Sequence, residues 1–389
     1  MKKNLFTVAA VALVALVSCN KETNSPVQPA PVSDIKFEAS IAQTKTAIGD
    51  PDETGYRNVT WVLGDQVNIN GTLFTATGFK EDGKAIFETE LDFTVAEQYD
   101  AIYPATAGTS LEAVTIAAAQ DGTFANAAIA VAQSENRSLS FLNVASLLRF
   151  QVPADYASVT IESTEDLAGT VSVSFNEELP VIGEVKNASK TVTLKNVKAG
   201  VDYYVAILPG DHKFTVRLGG YLSKASTKAV TLERSQIMNL GTLPELEKFG
   251  WGLVGQHQGW DIAKPTVMYK VYDGVGDNNV NDVYAVLNVK LSADGFKFAK
   301  FGLSNWNGSN TYFGAWTKST GKQYYNFTKD CGLGRWYGMW TDSCSGQSEN
   351  IGVDDWTQNY DVYIKMTTYY TNSQNMNYTI VTAGTAMTF

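Results

Sequence analysis

Seven of the eight tryptophans (Trp251, Trp260, Trp306, Trp316, Trp336, Trp340 and Trp356) of this 389-residue chain fall from position 251 onward, and only Trp61 precedes them. They sit among Tyr, Asn and Gly, in stretches such as W-G-L-V-G-Q-H-Q-G-W-D at 251–261 and S-N-W-N-G-S-N at 304–310. That mixture suits a sugar. The C–H face of a pyranose stacks on an indole or phenol, its rim of hydroxyls needs amides and charged groups, and aromatic side chains lose little entropy when held still. The competing use of tryptophan is packing in a core. A segment of about 140 residues can scarcely bury seven tryptophans and a dozen tyrosines completely. Some of them are expected to face solvent or a ligand.

Five of these tryptophans stand out by local context. Trp260 follows Gly259 in a turn, and Trp306 is surrounded by Asn and Ser on a polar loop. Trp316 alternates with Gly314, as a strand residue would. Trp336 and Trp340 lie four apart in R-W-Y-G-M-W at 335–340, between Cys331 and Cys344, where so short a loop offers little interior for both.

Other chemistries find little support. Asp277, Asn279 and Asn281 have the first spacings of a calcium loop, but Asp282 stands where glycine is needed and Asn288 where a bidentate Glu is needed. A solvated hairpin loop is the better reading there, and no metal is expected. Asp354-Asp355 offers carboxylates, but glycoside hydrolysis needs two held across a cleft, and nothing marks the second. Only His212 and His257 are available for acid–base work, no phosphate-binding glycine loop or zinc-protease motif is present, and neither an enzyme nor a cofactor is expected.

The segments that must position these residues read as β-structure. Val59, Trp61 and Leu63 alternate with polar residues, as do Val171, Val173 and Phe175, and Phe214, Val216 and Leu218. Asn70-Gly71, Asp82-Gly83 and Pro209-Gly210-Asp211 punctuate them as turns. The Ala-rich run 111–131 is a poor helix, interrupted by Thr and Gly. The whole is all-β, a set of sandwich domains. The net charge of −10 lacks the basic footprint that nucleic acid requires.

The N-terminus carries an address. Lys2-Lys3 is followed by an apolar run from Leu5 to Val17, too short to span a bilayer, ending in Leu16-Val17-Ser18-Cys19. This matches a bacterial lipobox, with Cys19 as the lipidated first residue of the mature protein. A Pro-rich polar tether follows, and Lys21-Glu22 is similar to the surface-export tag of some lipoproteins. The expected location is the outer membrane, lipid-anchored and facing outward. In an exported protein the remaining even pair, Cys331 and Cys344, is expected to form a disulfide worth about 3 kcal/mol on the chain-entropy picture.

Two resemblances organise the rest. Lys45-Thr46, V-T-W-V-L-G-D-Q-V at 59–67, Phe87 and A-I-Y-P at 101–104, then F-L-N-V-A-S-L-L-R-F at 141–150, L-A-G-T-V-S-V at 167–173, Y-Y-V-A-I-L-P-G at 203–210 and S-Q-I-M-N-L-G at 235–241, resemble the fimbrillin-like proteins in the same order. The resemblance implies tandem Greek-key, immunoglobulin-like β-sandwiches, with Trp61 and Tyr103-Pro104 as core and turn. From 251 on, W-G-L-V-G-Q-H-Q-G-W-D, Y-A-V-L-N-V-K-L at 284–291 and G-F-K-F at 295–298 resemble SusE/SusF-type outer-membrane glycan-binding modules, which bind starch or other polysaccharides without cleaving them. That resemblance adds Lys297, in the K-F strand, as a cation aimed at sugar hydroxyls. The chain then divides into a signal peptide (1–18), a tether (19–33), fimbrillin-like sandwiches at 34–137 and 138–247, and a carbohydrate-binding sandwich at 248–389. The expected function is capture of polysaccharide at the cell surface for an outer-membrane importer. The alternative is a pilus-tip or accessory adhesin that assembles with fimbrial subunits.

Overall fold

Alternating apolar and polar residues make this chain a succession of strands, and its computed structural model carries one four-residue α-helix, Phe124–Ala127, among the described residues. Those are 35–41, 47–51, 57–274, 281–292, 294–304, 312–314, 326–327, 337–338, 340–341, 351–353, 355, 357–366 and 376–389. Of 47–51, 57–59, 312–314, 326–327, 337–338, 340–341, 366 and 376, the backbone alone is described.

The first body is a closed barrel of seven strands: β1 (Lys36–Ile41), β2 (Gln66–Ile69), β3 (Thr72–Phe79), β4 (Ala85–Glu88), β5 (Tyr99–Tyr103), β6 (Ala130–Ser134) and β7 (Ser138–Asn143), in the order β1-β7-β6-β5-β2-β3-β4. β1 closes it, pairing antiparallel with β4 and parallel with β7. With both ends of the sheet joined through β1, no strand edge is left open, which is why this body is a barrel rather than two facing sheets. Trp61 sits in its core at 4% exposure, edge-on to Phe87, Tyr103 and Phe141 at centroid distances of 5.0, 5.1 and 5.3 Å.

The second body comprises β8 (Ser146–Gln151), β9 (Tyr156–Ser163), β10 (Ala168–Asn176), β11 (Leu179–Ser189), β12 (Thr191–Val197), β13 (Tyr203–Ile207), β14 (Phe214–Leu218), β15 (Tyr221–Ala225) and β16 (Ile237–Thr242). One sheet runs β13-β8-β16; another runs β15-β14-β9-β12 and ends on Ala119–Gln120; β11, β10 and Val114–Ile116 form a third. Sheet pairing therefore crosses the expected 137/138 boundary in both directions. β7 starts at Ser138 yet completes the barrel, while Val114–Ile116 and Ala119–Gln120 pair with β10 and β12. The cause is the run F-L-N-V-A-S-L-L-R-F. It is two strands in two bodies, joined through buried Val144 and Ala145, and one apolar core runs from Ile35 to Leu243. The Ala-rich run is broken at Gly122 (φ +79°), where a Cβ would lie 2.5 Å from Leu194 and Tyr203 side-chain atoms.

The C-terminal domain contains β17 (Lys248–Gly255), β18 (Thr266–Tyr272), β19 (Val283–Val289), β20 (Phe296–Lys300), β21 (Tyr360–Met366) and β22 (Met376–Thr382). They form a nine-stranded antiparallel sheet in the order Tyr337–Gly338, β22, β21, β19, β18, β17, β20, Tyr312–Gly314, Trp340–Thr341. One face packs Trp251, Leu253, Met268, Tyr284, Phe296 and Phe298 under Ile351 and Val353. The expected sandwich thus takes the form of one wide sheet with a small second layer, Asn326–Phe327 against Gly352–Val353. The glycines of W-G-L-V-G serve close approach: a Cβ on Gly252 would lie 2.4 Å from the Thr266 carbonyl oxygen, and one on Gly255 2.7 Å from that of Gly295. Gly252→Ala is expected to destabilise the domain by about 1–3 kcal/mol, because rigid backbone must move to admit the methyl. Urea denaturation of the variant beside the parent checks this.

Candidate functional site

Directly opposed residues of an antiparallel pair point to the same face of a sheet. Val254 is opposite Lys297 and Gly252 opposite Ala299, so these four share one face of β17–β20. Trp251, Leu253, Phe296 and Phe298 take the other. The turn after β17 folds back over the first face. It is a 3-10 turn, Gln256–Gln258, ended by Gly259 in the left-handed conformation at φ 75°. Trp260 also has positive φ, 58°, an uncommon backbone for an aromatic residue.

The turn's own side chains hold that geometry. Gln258 Nε2 donates to the carbonyls of Asp261 (2.8 Å) and Lys264 (3.2 Å), and its Oε1 accepts from the Asp261 amide at 2.8 Å. The Trp260 amide donates to the Gly255 carbonyl at 2.9 Å. Trp260 is thereby laid, half-buried, against Val254, Ile262 and Ala299, with Leu303 beside it. Lys297 is half-buried on the same face. An indole and an ammonium on one sheet face can offer a stacking surface and a cation on the same side, the chemistry of a sugar or another flat polar ligand.

His257 closes the turn from beneath. Its Nε2 lies 3.0 Å from Thr266 Oγ1, and its buried Nδ1 has no partner among the described residues. Burial lowers its pKa below the ordinary 6.5. The unfolded chain then binds a proton more readily than the folded one. Stability is complete above about pH 6.5 and falls as pH drops from there toward the depressed folded value. His257→Gln is expected to flatten that part of the stability profile, which denaturation midpoints at pH 7.5 and 5.5, compared for parent and variant, would show.

At the other end of the sheet an ionic cluster joins the linker to the domain. Lys270 Nζ lies 2.8 Å from Glu247, 2.9 Å from Asp282 and 3.1 Å from Asp273. The Tyr284 hydroxyl donates to Glu247 Oε1 at 2.8 Å, and the Tyr284 ring lies 5.7 Å beneath the ammonium. Burial opposes the charge on Lys270, but its bonds to Glu247, Asp282 and Asp273 prevail and raise its pKa above 10.5. Burial, and after it the Glu247 bond, raise Tyr284 above its usual range. Asp282, read as part of a solvated loop, is instead 2% exposed and committed to Lys270 and to the Gly274 amide (2.8 Å).

The domain is also fixed to the second body. Arg217 Nη1 donates to the Val271 carbonyl at 2.7 Å while its Nε donates to Glu162 Oε1 at 2.8 Å. The Leu287 amide donates to the Tyr221 hydroxyl at 3.0 Å, and the Tyr221 and Tyr269 rings meet at 5.1 Å.

Of the residues singled out in the sequence, Trp260 and Lys297 lie on the same face of β17–β20. Trp340 lies in the two-residue strand Trp340–Thr341, backbone alone described, paired with Gly314. Trp306, Trp316, Trp336, the cysteines Cys19, Cys331 and Cys344, and the whole of 1–34 lie outside the described residues. Trp251 is core, at 8% exposure. Asp355 accepts from the Thr357 amide and hydroxyl, and those bonds hold its carboxyl below the usual range. The sequence reading passed over the Lys270 cluster. Its signal was available in T-V-M-Y-K-V-Y, where a lysine takes the inward register of Met268.

Neither a protein-family model nor a curated protein matches the chain. Among solved structures, it is similar to a candidate cell adhesion protein from Bacteroides ovatus at 14% identity and a TM-score of 0.33, covering 53% of this chain and 91% of that one. A candidate cell adhesion protein from Bacteroides uniformis aligns at 15% identity and 0.34, covering 55% and 94%. A fimbrial protein from Bacteroides ovatus aligns at 12% and 0.23, covering 66% of this chain and 58% of that one.

Proposed function

We propose that this chain is a non-catalytic adhesion protein of the cell surface, in which the two N-terminal bodies form a stem and the C-terminal domain makes the contact. The observation that carries this reading is the joint. Arg217 to Val271 and Tyr221 to Leu287 bind stem and head by hydrogen bonds, backed by the Tyr221–Tyr269 ring contact, so the head is held in one orientation instead of swinging on a linker. Lipidation at Cys19 and the 19–33 tether would attach the stem to the outer membrane, with fimbrial subunits as the partners this reading favours.

A second reading, capture of polysaccharide beside an outer-membrane importer, is favoured by Trp260 and Lys297 sharing one outer face. Both are tested with beads carrying the full chain, allowed to settle on immobilised fimbrial preparations and on immobilised polysaccharides. Adhesion is expected on the first surface. Beads that settle no better than uncoated ones on either surface would sink both readings. Adhesion only to polysaccharide, lost in Trp260→Ala, would decide for capture.

A further inference from the structure

A polar cleft of about 710 Å³ lies between the second body and the C-terminal domain. That is within the size range of small-molecule sites, which favour domain junctions. Its floor is the outward row of β9 and β14: Phe214, Val216 and Leu218 point into the core, so Thr215 and Arg217 point out, with Glu162 opposite Thr215. Tyr272 and Asp273, just past the interdomain bond at Val271, make the near wall. Ala225, opposite Thr215 in register, and Ser226 make the far wall.

The lining has a definite chemistry. Its ionic groups are two cations, Lys213 and Arg217, and two anions, Glu162 and Asp273, so they cancel. Around them stand hydroxyls from Thr164, Thr215, Ser226 and Thr227, each able to donate and accept. Arg217 is held from both sides, by Glu162 and by the Val271 carbonyl, so the floor is fixed before any ligand arrives. Tyr272, tilted against Phe389 at 5.8 Å, adds an aromatic surface.

We propose that this cleft binds a neutral oligosaccharide. A balanced lining gives a phosphate or a polycation no net attraction. Interleaved donors and acceptors around an aromatic wall match the hydroxyl rim and C–H face of a sugar ring. The site is separate from the Trp260 face and does not rest on the adhesion reading.

The test is binding of the full chain to an array of neutral glucan, mannan and galactan oligosaccharides, with an uncharged decapeptide as a second probe. Ala225→Trp projects an indole from an exposed position over the floor and should block the cleft without touching the core. Trp260→Ala reports on the other face. The expected result is saturable binding of at least one oligosaccharide, weakened by about tenfold or more in Ala225→Trp at an unchanged melting temperature, and unaltered in Trp260→Ala. Lys213→Ala, also exposed, is expected to weaken the same binding. The proposal is overturned if no oligosaccharide binds, if Ala225→Trp leaves binding intact, or if the decapeptide alone is bound and displaced by that indole.

Discussion

Replacing Lys270 by methionine is expected to lower the stability of the C-terminal domain by about 3–5 kcal/mol, the range for breaking a buried ion pair from one side. The magnitude comes from Asp282. With its side chain 3% exposed, that carboxylate would be left in the interior without its cation, whereas Glu247 and Asp273, at 51% and 66%, can turn to water. Glu247→Gln and Asp273→Asn should therefore each cost no more than about 1 kcal/mol. Adding Asp282→Asn to Lys270→Met should recover much of the loss, since the stranded charge goes with it. Because the folded-state pKa of Lys270 is raised above 10.5, its contribution is full below that pH and is lost only as pH rises beyond it. Urea midpoints at pH 7 and 9 should show the same loss; a Lys270→Met protein as stable as the parent would refute this account.

Trp61→Ala is expected to cost about 3–5 kcal/mol in the barrel, the usual price of emptying a large aromatic site. Three edge-on ring contacts and nearly complete burial are lost together. Trp61→Phe should behave differently. The indole Nε1 is buried with no acceptor among the described residues, so phenylalanine gives up ring volume but no hydrogen bond, and it relieves an unsatisfied donor. A cost below about 1.5 kcal/mol is expected for it. Thermal melts of both variants decide the point, and a Trp61→Phe loss well above about 1.5 kcal/mol would refute this account.

The sequence was legible where one strand buries one face. The alternations around Val171 and around Phe214 put Val171, Val173, Phe214, Val216 and Leu218 in the core, and Trp61 lies in the core of the barrel. Pairing between distant strands was not legible, because alternation says which side of a strand is buried and not which strand lies beside it. β1 thus finds β7 about a hundred residues away, and F-L-N-V-A-S-L-L-R-F hides a crossing between bodies. At the candidate site, a count of tryptophans could not separate Trp251 from Trp260. Trp251 lies within β17 on its core face, whereas the 3-10 turn and the positive φ of Gly259 and Trp260 fold Trp260 back over the other face.

The parallel pairing of β1 with β7 also determines how the barrel would carry tension. The chain enters at the Lys36 end of β1 and leaves for the second body at the Asn143 end of β7, and because the two strands run the same way those points lie at opposite ends of the ladder. A pull between an anchor before β1 and a load beyond β7 slides the strands along each other. The bonds around Glu38–Ser138 through Ile41–Phe141 are then strained together, in shear, instead of parting one after another as in an unzipped hairpin.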